Sequence, residues 1–407
     1  MAVSVEEAFT LIYNAVEAQA TELLPIEQAL GRVLSEAVVA THNLPPFDNS
    51  AMDGYAVKHA DAGRCVEVLH TIFAGDGDEV MIFEGNAAKI MTGAKIPEGC
   101  ECVVPVENTT PCEKGVLLPE TLKEGQHIRL CGEDIQCGDP LLEPGQKLHA
   151  HHLTLLASQG ITHVKVYKRP RVALFASGNE LKMHFQNVGE HQLYNTNTPT
   201  LMARCSELGC EVRFIGTADD TLASINEHIE SALDADLIVT SGGVSVGDAD
   251  YTKEAFGAFG FETIFEKVNI KPGKPTTFGR IGKTYVLNLP GNPLAAALNF
   301  ELFGQSIILA LSGASEKYLG TLTAEMKSDF ATKPGRRTLV PGFYDGETFA
   351  PCEKFAPGMI SPLAKSNGFI MLDESVSELN AGARVNIIPT RFGLYKSVSQ
   401  SLITSAS

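Results

Sequence analysis

The chain predicts an α/β plus β multidomain fold: a doubly wound α/β domain joined to a helical linking domain, a small β-rich domain and a C-terminal β domain. Three observations predict it. From Arg171 onward, apolar strand runs alternate with helical runs (RVALFA, TPTLMARCSELG, EVRFIG, LASINEHIESALD, ADLIVTS), the pattern of a mostly parallel sheet covered by helices. Between about residues 60 and 140, short runs such as VEVLHTIFA, AAKIMTG, CVVPVE and GVLLPE are separated by Gly, Asp and Glu turns, as in a small β module. After about Gly320 the helical signal stops, and TLTAEM, GFIMLD and ARVNIIP read as short strands. The length of 407 residues accommodates two to four domains at about 100–200 residues each.

In chain order, Val5, Phe9, Ile12 and Val16 fall at helical spacing. Helix is expected through ELLPIEQALGRVLSEAVVA to near His42, so residues 1–44 read as N-terminal helices. LPPFDNSAMDGYAV is a Pro-rich stop followed by a turn-rich segment, and it opens a β-rich domain over 45–139. The helix HHLTLLASQG and strand THVKVYK return the chain, over 140–168, to the linking domain begun by 1–44. Arg169-Pro170 marks a boundary, and the α/β domain runs over 169–320, ending with strand TYVLNL, the turn PGNP and helix LAAALNFELFGQSIILALSG. The β domain occupies 321–407, with SVSQSLITSAS as a frayed tail.

The formal charge of −17 repels nucleic acid and acidic lipid, and no uninterrupted run of about 18 apolar residues implies a membrane span. Glu6 and Glu7 occupy the place where a signal peptide needs positive charge. The nine cysteines are odd in number and include no CxxC pair, so free thiols in a reducing compartment are expected. His149-Ala150-His151-His152 precedes an apolar helical run and reads as a helix start with surface imidazoles rather than a metal site.

Ligands of open α/β sheets bind beyond the carboxyl ends of the strands. Three strands here run into Gly-bearing loops: Ser177-Gly178-Asn179-Glu180, the stretch Ser241-Gly242-Gly243-Val244-Ser245-Val246-Gly247-Asp248-Ala249-Asp250, and Pro290-Gly291-Asn292-Pro293. Glycines let backbone N–H groups approach a bulky anion. Lys267, Lys271 and Lys274 lie within eight residues, stiffened by Pro272 and Pro275; alone they read as a solvated surface loop, and beside the Gly loops as a cationic clamp for an oxyanion. Carboxylates at Glu180, Asp219, Asp220, Asp248 and Asp250 suit a hard cation such as Mg2+ bridging protein to substrate oxygens; alone, Asp219-Asp220 reads as a helix N-cap. Gly282-Lys283-Thr284 precedes a strand and lacks the required upstream glycine, and the 242–247 loop has Val244 where a dinucleotide fingerprint has Gly. Neither standard nucleotide motif is present.

Together and in this order, PPFDNSAMDGYAV (45–57), IMTGAKIPEG (90–99), RLCGEDI (129–135), RPRVALFASGNEL (169–181), DLIVTSGGVSVGDADYTK (236–253), IKPGKP (270–275) and LPGNP (289–293) resemble the molybdopterin molybdenumtransferase family, which includes the C-terminal part of gephyrin. The resemblance implies a molybdopterin-binding α/β domain, a β-barrel-like C-terminal domain, and an elongated cytoplasmic homodimer. Its cleft would lie between the α/β domain of one subunit and the small β domain of the other. It implies insertion of molybdate into the dithiolene of adenylylated molybdopterin, with Mg2+-dependent release of AMP and formation of molybdenum cofactor. A molybdopterin adenylyltransferase upstream and molybdoenzyme-side acceptors downstream are the implied partners.

Matched residue by residue, the resemblance assigns catalysis to Asp53, Thr92, Asp134, Glu180 and Asp250, and metal binding to Glu180, Asp219 and Asp250. Substrate binding falls to Ser177, Gly178, Asp219, Ser241, Gly242, Gly243, Ser245, Gly247 and Asp248, to Lys267, Lys271 and Lys274, to Pro290, Gly291, Asn292 and Pro293, and to Ser361. The chain departs from the family pattern at Asn179 and Asn195, where Asp is usual, at Leu130-Cys131, where a basic residue is common, and in Gly216-Thr217-Ala218 before Asp219. A related adenylyltransferase lacks the DNSAMDGYAV module and the C-terminal β module, both present here. A tungstate-specific paralogue and a non-catalytic scaffold of the same architecture stay open.

Overall fold

The structure, a computed structural model, describes residues 2–242 and 251–391. The expected positions Gly243, Ser245, Gly247, Asp248 and Asp250, and the C-terminal tail, lie outside the described residues.

The α/β sheet has six strands in the order Glu211–Ala218, Arg171–Ser177, Leu237–Ser241, Thr284–Leu289, Thr277–Ile281, Glu262–Phe265. The first four run parallel, and the last two are added antiparallel. Arg171–Ser177 shows why it is central: Val172 and Leu174 enter the apolar cluster on one face, Ala173 and Phe175 that on the other. A strand covered on both faces reads as a continuous apolar run, as this one does. Because the second strand lies on one side of the first and the third on the other, the strand order reverses at Ser177 and Ser241, the switch point where ligands bind such sheets. The GKT segment is the hairpin turn between Thr277–Ile281 and Thr284–Leu289, as its sequence context predicts.

Helix Pro293–Leu311 spans 19 residues and by length and composition alone could cross a membrane, but 83% of its apolar window is buried inside the protein. Leu294, Phe300, Phe303 and Ile307 join the largest core cluster, so it is a core helix. Residues Phe300–Gly304 are π-helical.

The small β sheet orders Cys102–Pro105, Gly54–Val57, Asn86–Ile90, Cys65–Ile72, Gly115–Leu117 and Thr110–Cys112. In the C-terminal region, Arg337–Tyr344, Thr348–Pro351, Leu322–Met326, Arg384–Pro389 and Gly368–Leu372 close into a five-strand barrel through pairing of the first with the last. Its interior holds Met326, Val340, Phe349, Ile370 and Ile387. The strand Ile270–Lys271 leaves the α/β region and pairs with Arg337-Thr338 on the barrel's rim.

Three expectations are corrected. Among the described residues up to 44, α-helix covers only Val5–Ala15, with a single 3-10 turn at Ile26–Gln28; Thr21–Pro25 is a strand paired with His163–Tyr167, and Val38-Val39 pairs with Pro140–Leu142. Pro25 is the physical reason: it lacks an N–H and biases Leu24 to extended backbone. The cysteines are not all free, for Cys65 and Cys112 form a disulfide within the small β sheet. Asp219-Asp220 does not cap the next helix; Thr221 does, accepting the Ser224 N–H. His149 does begin helix Ala150–Ser158. Among the described residues, a single short helix, Ser361–Lys365, interrupts the C-terminal strands.

Of the seven remaining thiols, Cys131 and Cys137 are exposed and Cys102, Cys205 and Cys210 are buried. Burial pushes the thiols up to about 11 at Cys100 and about 12 at Cys102 and Cys210, so their reactive thiolates are scarce near neutrality. Thiol titration with an aromatic disulfide is expected to show two fast groups in the native protein. It should reach seven on unfolding and nine after added reduction. Nine without reductant would contradict the Cys65–Cys112 bond.

Candidate functional site

At the switch point three strand-end loops meet with no room between them. Gly242 has φ +96°, and a Cβ there would sit 2.4 Å from the Ser177 carbonyl oxygen. A Cβ on Gly291 would meet the Gly242 Cα at 3.4 Å. Only glycine satisfies both the left-handed backbone and the close approach at position 242. The loops border an open cleft of about 1070 Å³, at the upper end of small-molecule pockets.

Among the described residues, Ser177, Gly178 and Glu180 line the cleft from the first loop, Ser241 and Gly242 from the second, and Pro290, Gly291, Asn292 and Pro293 from the third. Those nine expected positions are therefore brought together. The chain's own barrel contributes a wall through Gly358 and Ile360, held by the Leu294 N–H donating to the Pro357 carbonyl at 3.0 Å.

Other expected residues lie elsewhere. Asp219 does not line the cleft, whereas Asp220 does. Ser361 is exposed at the start of the short helix, one residue past the lining residue Ile360. Of the lysine loop, Pro275 lines the cleft but Lys267, Lys271 and Lys274 do not. Lys267 is half-buried beside the N-terminus, its carbonyl accepting the Val3 N–H, while Lys271 and Lys274 are exposed.

Asp53 and Thr92 form a second constellation, Asp134 stands apart from it, and none of the three lines this cleft. One Asp53 carboxylate oxygen accepts both the Thr92 N–H and the Thr92 hydroxyl at 2.7 Å. The backbone bond first, then the hydroxyl, holds the exposed Asp53 carboxyl below its ordinary range. Asp134 is exposed; its N–H donates to the Leu44 carbonyl, while nearby Cys131 donates its N–H to Asp48 at 2.7 Å.

The two Asn departures have structural reasons. The Asn179 side-chain oxygen accepts the Asp220 N–H at 3.0 Å, and the Asp220 carboxylate accepts the Asn179 N–H at 3.3 Å. This clasp joins the loops after two neighbouring strands, and an amide there adds no second charge beside Asp220. Asn195 is 3% exposed. Its oxygen accepts the Thr198 N–H at 3.1 Å and its amide donates to the Thr198 hydroxyl at 2.9 Å, capping helix Asn197–Glu207 from two residues before it. Asn197 then donates to the Gly291 carbonyl at 2.8 Å, fixing that helix to the third loop.

Sequence reasoning missed Asn299. Buried in the core helix, it donates to the carbonyls of Pro272 at 3.0 Å and Ala295 at 2.7 Å and accepts from the Thr276 hydroxyl at 3.0 Å. Gly273 has φ +112°, and a Cβ there would fall 1.8 Å from the Asn299 amide nitrogen. Asn299 thereby fixes the backbone that carries Lys271 and Lys274. The available signal was a polar amide at the end of the apolar run LAAALN. Asn299→Ala leaves the buried Pro272 carbonyl without this donor and is expected to cost about 2–3 kcal/mol. Urea denaturation checks this; a change under about 0.5 kcal/mol would refute the assignment.

No group of three or more His, Cys, Asp or Glu is placed to hold a metal among the described residues. Glu180 and Asp220 nevertheless bring two carboxylates to one cleft, the hard oxygen chemistry that suits Mg2+. Of the expected metal set, Glu180 lines the cleft, Asp219 does not, and Asp250 lies outside the described residues.

Residues 3–160 match the family model "MoeA N-terminal region (domain I and II)", 173–310 "Probable molybdopterin binding domain", and 323–390 "MoeA C-terminal region (domain IV)". A molybdopterin molybdenumtransferase of Haemophilus influenzae is 36% identical over 379 residues, covering 91% of this chain and 94% of that protein. One from Staphylococcus aureus is 32% identical over 403 residues, covering 95% and 96%. The crystal structure of a molybdopterin biosynthesis MoeA protein from Pyrococcus horikoshii superposes with a TM-score of 0.83 at 29% identity, covering 97% of this chain and all of that one.

Proposed function

This chain belongs to the molybdopterin molybdenumtransferase family, and from that premise we propose that it inserts molybdate into the dithiolene of adenylylated molybdopterin, releasing AMP and forming molybdenum cofactor. The observation that carries this reading is the cleft at the sheet's switch point, where three Gly-bearing loops meet beside the carboxylates of Glu180 and Asp220. The loop backbones approach a phosphorylated, multiply anionic substrate closely because their glycines present no side chains. Lys271 and Lys274, exposed on the segment that leads to the lining residue Pro275, supply positive charge beside the cleft, and Asn299 keeps the backbone beneath them fixed. Mg2+, when bound, would neutralise charge on the phosphoanhydride whose P–O bond holds AMP. Glu180 and Asp220 are its cleft-side ligands in this reading, with Asp219 and Asp250 the further candidates.

The thiols that receive the metal belong to the substrate, and water cleaves the phosphoanhydride that releases AMP, so no protein nucleophile is required. Asp53, Thr92 and Asp134 act from the small β sheet of a second subunit, which makes the homodimer the active form. In this scheme Asp53 stays ionised and orients Thr92, and Asp134 adds charge from the same domain. Cytoplasmic residence, delivery from a molybdopterin adenylyltransferase and hand-over to molybdoenzymes complete the proposal.

The test is reconstitution with adenylylated molybdopterin and either molybdate or tungstate, with and without Mg2+, following AMP and active cofactor. AMP release that depends on both the oxometalate and Mg2+ is expected. Neither product forming would refute the transferase reading and favour a scaffold; tungstate alone supporting turnover would favour the tungstate paralogue.

A further inference from the structure

We propose that Tyr194 is the stacking platform of the cleft, the surface on which a flat nitrogen heterocycle of the substrate lies; this rests on the transferase reading above. Tyr194 is the aromatic residue among those described as lining the cleft. The residue is 49% exposed, and among the described residues its ring has no ring neighbour and its hydroxyl no hydrogen-bond partner. A large ring held half in water inside a concave site is poised to gain from covering by a ligand.

Its backbone is fixed from both sides, so ordering it on binding costs little. Leu193-Tyr194 pairs in parallel with Leu181-Lys182. The Leu193 N–H donates to the Glu180 carbonyl at 2.7 Å, and the Asn195 N–H to the Lys182 carbonyl at 2.8 Å. The next residue, Asn195, is the buried cap described above. Glu180 and Tyr194 thus stand on paired segments of one wall, the carboxylate near the glycine loops and the ring farther along. That order matches a ligand with a phosphoryl group at one end and a planar ring at the other. The remaining lining is proline, glycine, serine, threonine, asparagine, carboxylate and aliphatic side chains, with no second aromatic ring.

Adenine and pterin share the required chemistry, a flat electron-poor heterocycle that stacks on a phenol ring. Titration calorimetry with AMP and, separately, with neopterin distinguishes them, using the full chain with Mg2+ present. Tyr194→Ala is expected to weaken binding of one of the two about 10- to 100-fold, the range of base–aromatic stacking, and Tyr194→Phe to bind within about twofold of the parent protein. Loss confined to AMP places adenine on the ring, and loss confined to neopterin places the pterin there. Tyr194→Ala binding both ligands as the parent does, or Tyr194→Phe losing as much as Tyr194→Ala, would overturn the proposal. The reconstitution assay run on the parent protein separates that failure from failure of the transferase reading. Circular dichroism of each variant verifies that the exposed substitution leaves the fold intact.

Discussion

Replacing Arg204 by leucine is expected to destabilise the protein by about 3–5 kcal/mol, the cost of leaving a buried charge without its partner. Arg204 Nε and Nη2 donate to the two carboxylate oxygens of Glu301 at 2.7 and 2.9 Å, and Glu301 is 6% exposed within the π-helical segment of the core helix. Burial already pushes the Glu301 carboxyl up, while the Arg204 hydrogen bonds pull it back down. Removing the guanidinium frees the upward push. A carboxyl raised in the folded state binds its proton more tightly than in the unfolded chain. Its contribution is therefore complete below the ordinary Glu range and is lost as pH rises through the folded value. The R204L defect should accordingly grow from pH 5 to pH 8 in urea denaturation. The double variant R204L/E301L should recover most of the loss, because a buried pair contributes little beyond an apolar replacement. A single variant within about 1 kcal/mol of the parent at pH 8 would contradict a buried ion pair.

Asp53→Asn is expected to reduce cofactor formation on the order of 10²-fold, the scale of losing one preorganised electrostatic contact, without shifting the unfolding midpoint. Asp53 is exposed, and its carboxylate accepts two hydrogen bonds from Thr92. An amide in the same place keeps an acceptor oxygen but removes the charge. The depressed folded-state value means Asp53 stays ionised above the ordinary carboxylate range and is protonated only below it. Between pH 6 and pH 5 the activity should consequently show no loss attributable to this group. Thr92→Ala should fall in the same direction, and the double variant should be less damaged than the product of the two single effects, since both substitutions break one contact. Full activity in D53N would remove the small β sheet from the reaction.

The α/β region was legible because its central strands are covered on both faces and its helices are amphipathic or wholly apolar; RVALFA, LIVT and YVLNL leave no alternative to buried strands. The strand-end loops were legible for a related reason, since Gly after a buried strand marks backbone that must turn or be approached closely. What stayed hidden depended on pairing across distance. Leu23 and Leu24 have helical neighbours in sequence, but Pro25 and the partner strand His163–Tyr167 decide their conformation. The Cys65–Cys112 bond spans 47 residues, and no local spacing announces it. The sequence pointed to Asp219, whereas Asp220 lines the cleft, held by the Asn179 clasp between two loops distant in the chain. Asn299 lay unnoticed because its three partners sit on a segment 23 to 27 residues upstream and on its own helix.

The short strand Ile270–Lys271 has two masters: the barrel rim grips it through Arg337-Thr338, and the core helix grips the following turn through Asn299. A crank joined at both ends transmits displacement instead of absorbing it. Tilting of the barrel relative to the parallel sheet therefore drags the cations at 271 and 274 along, and a ligand that draws those cations inward pulls on the barrel in return.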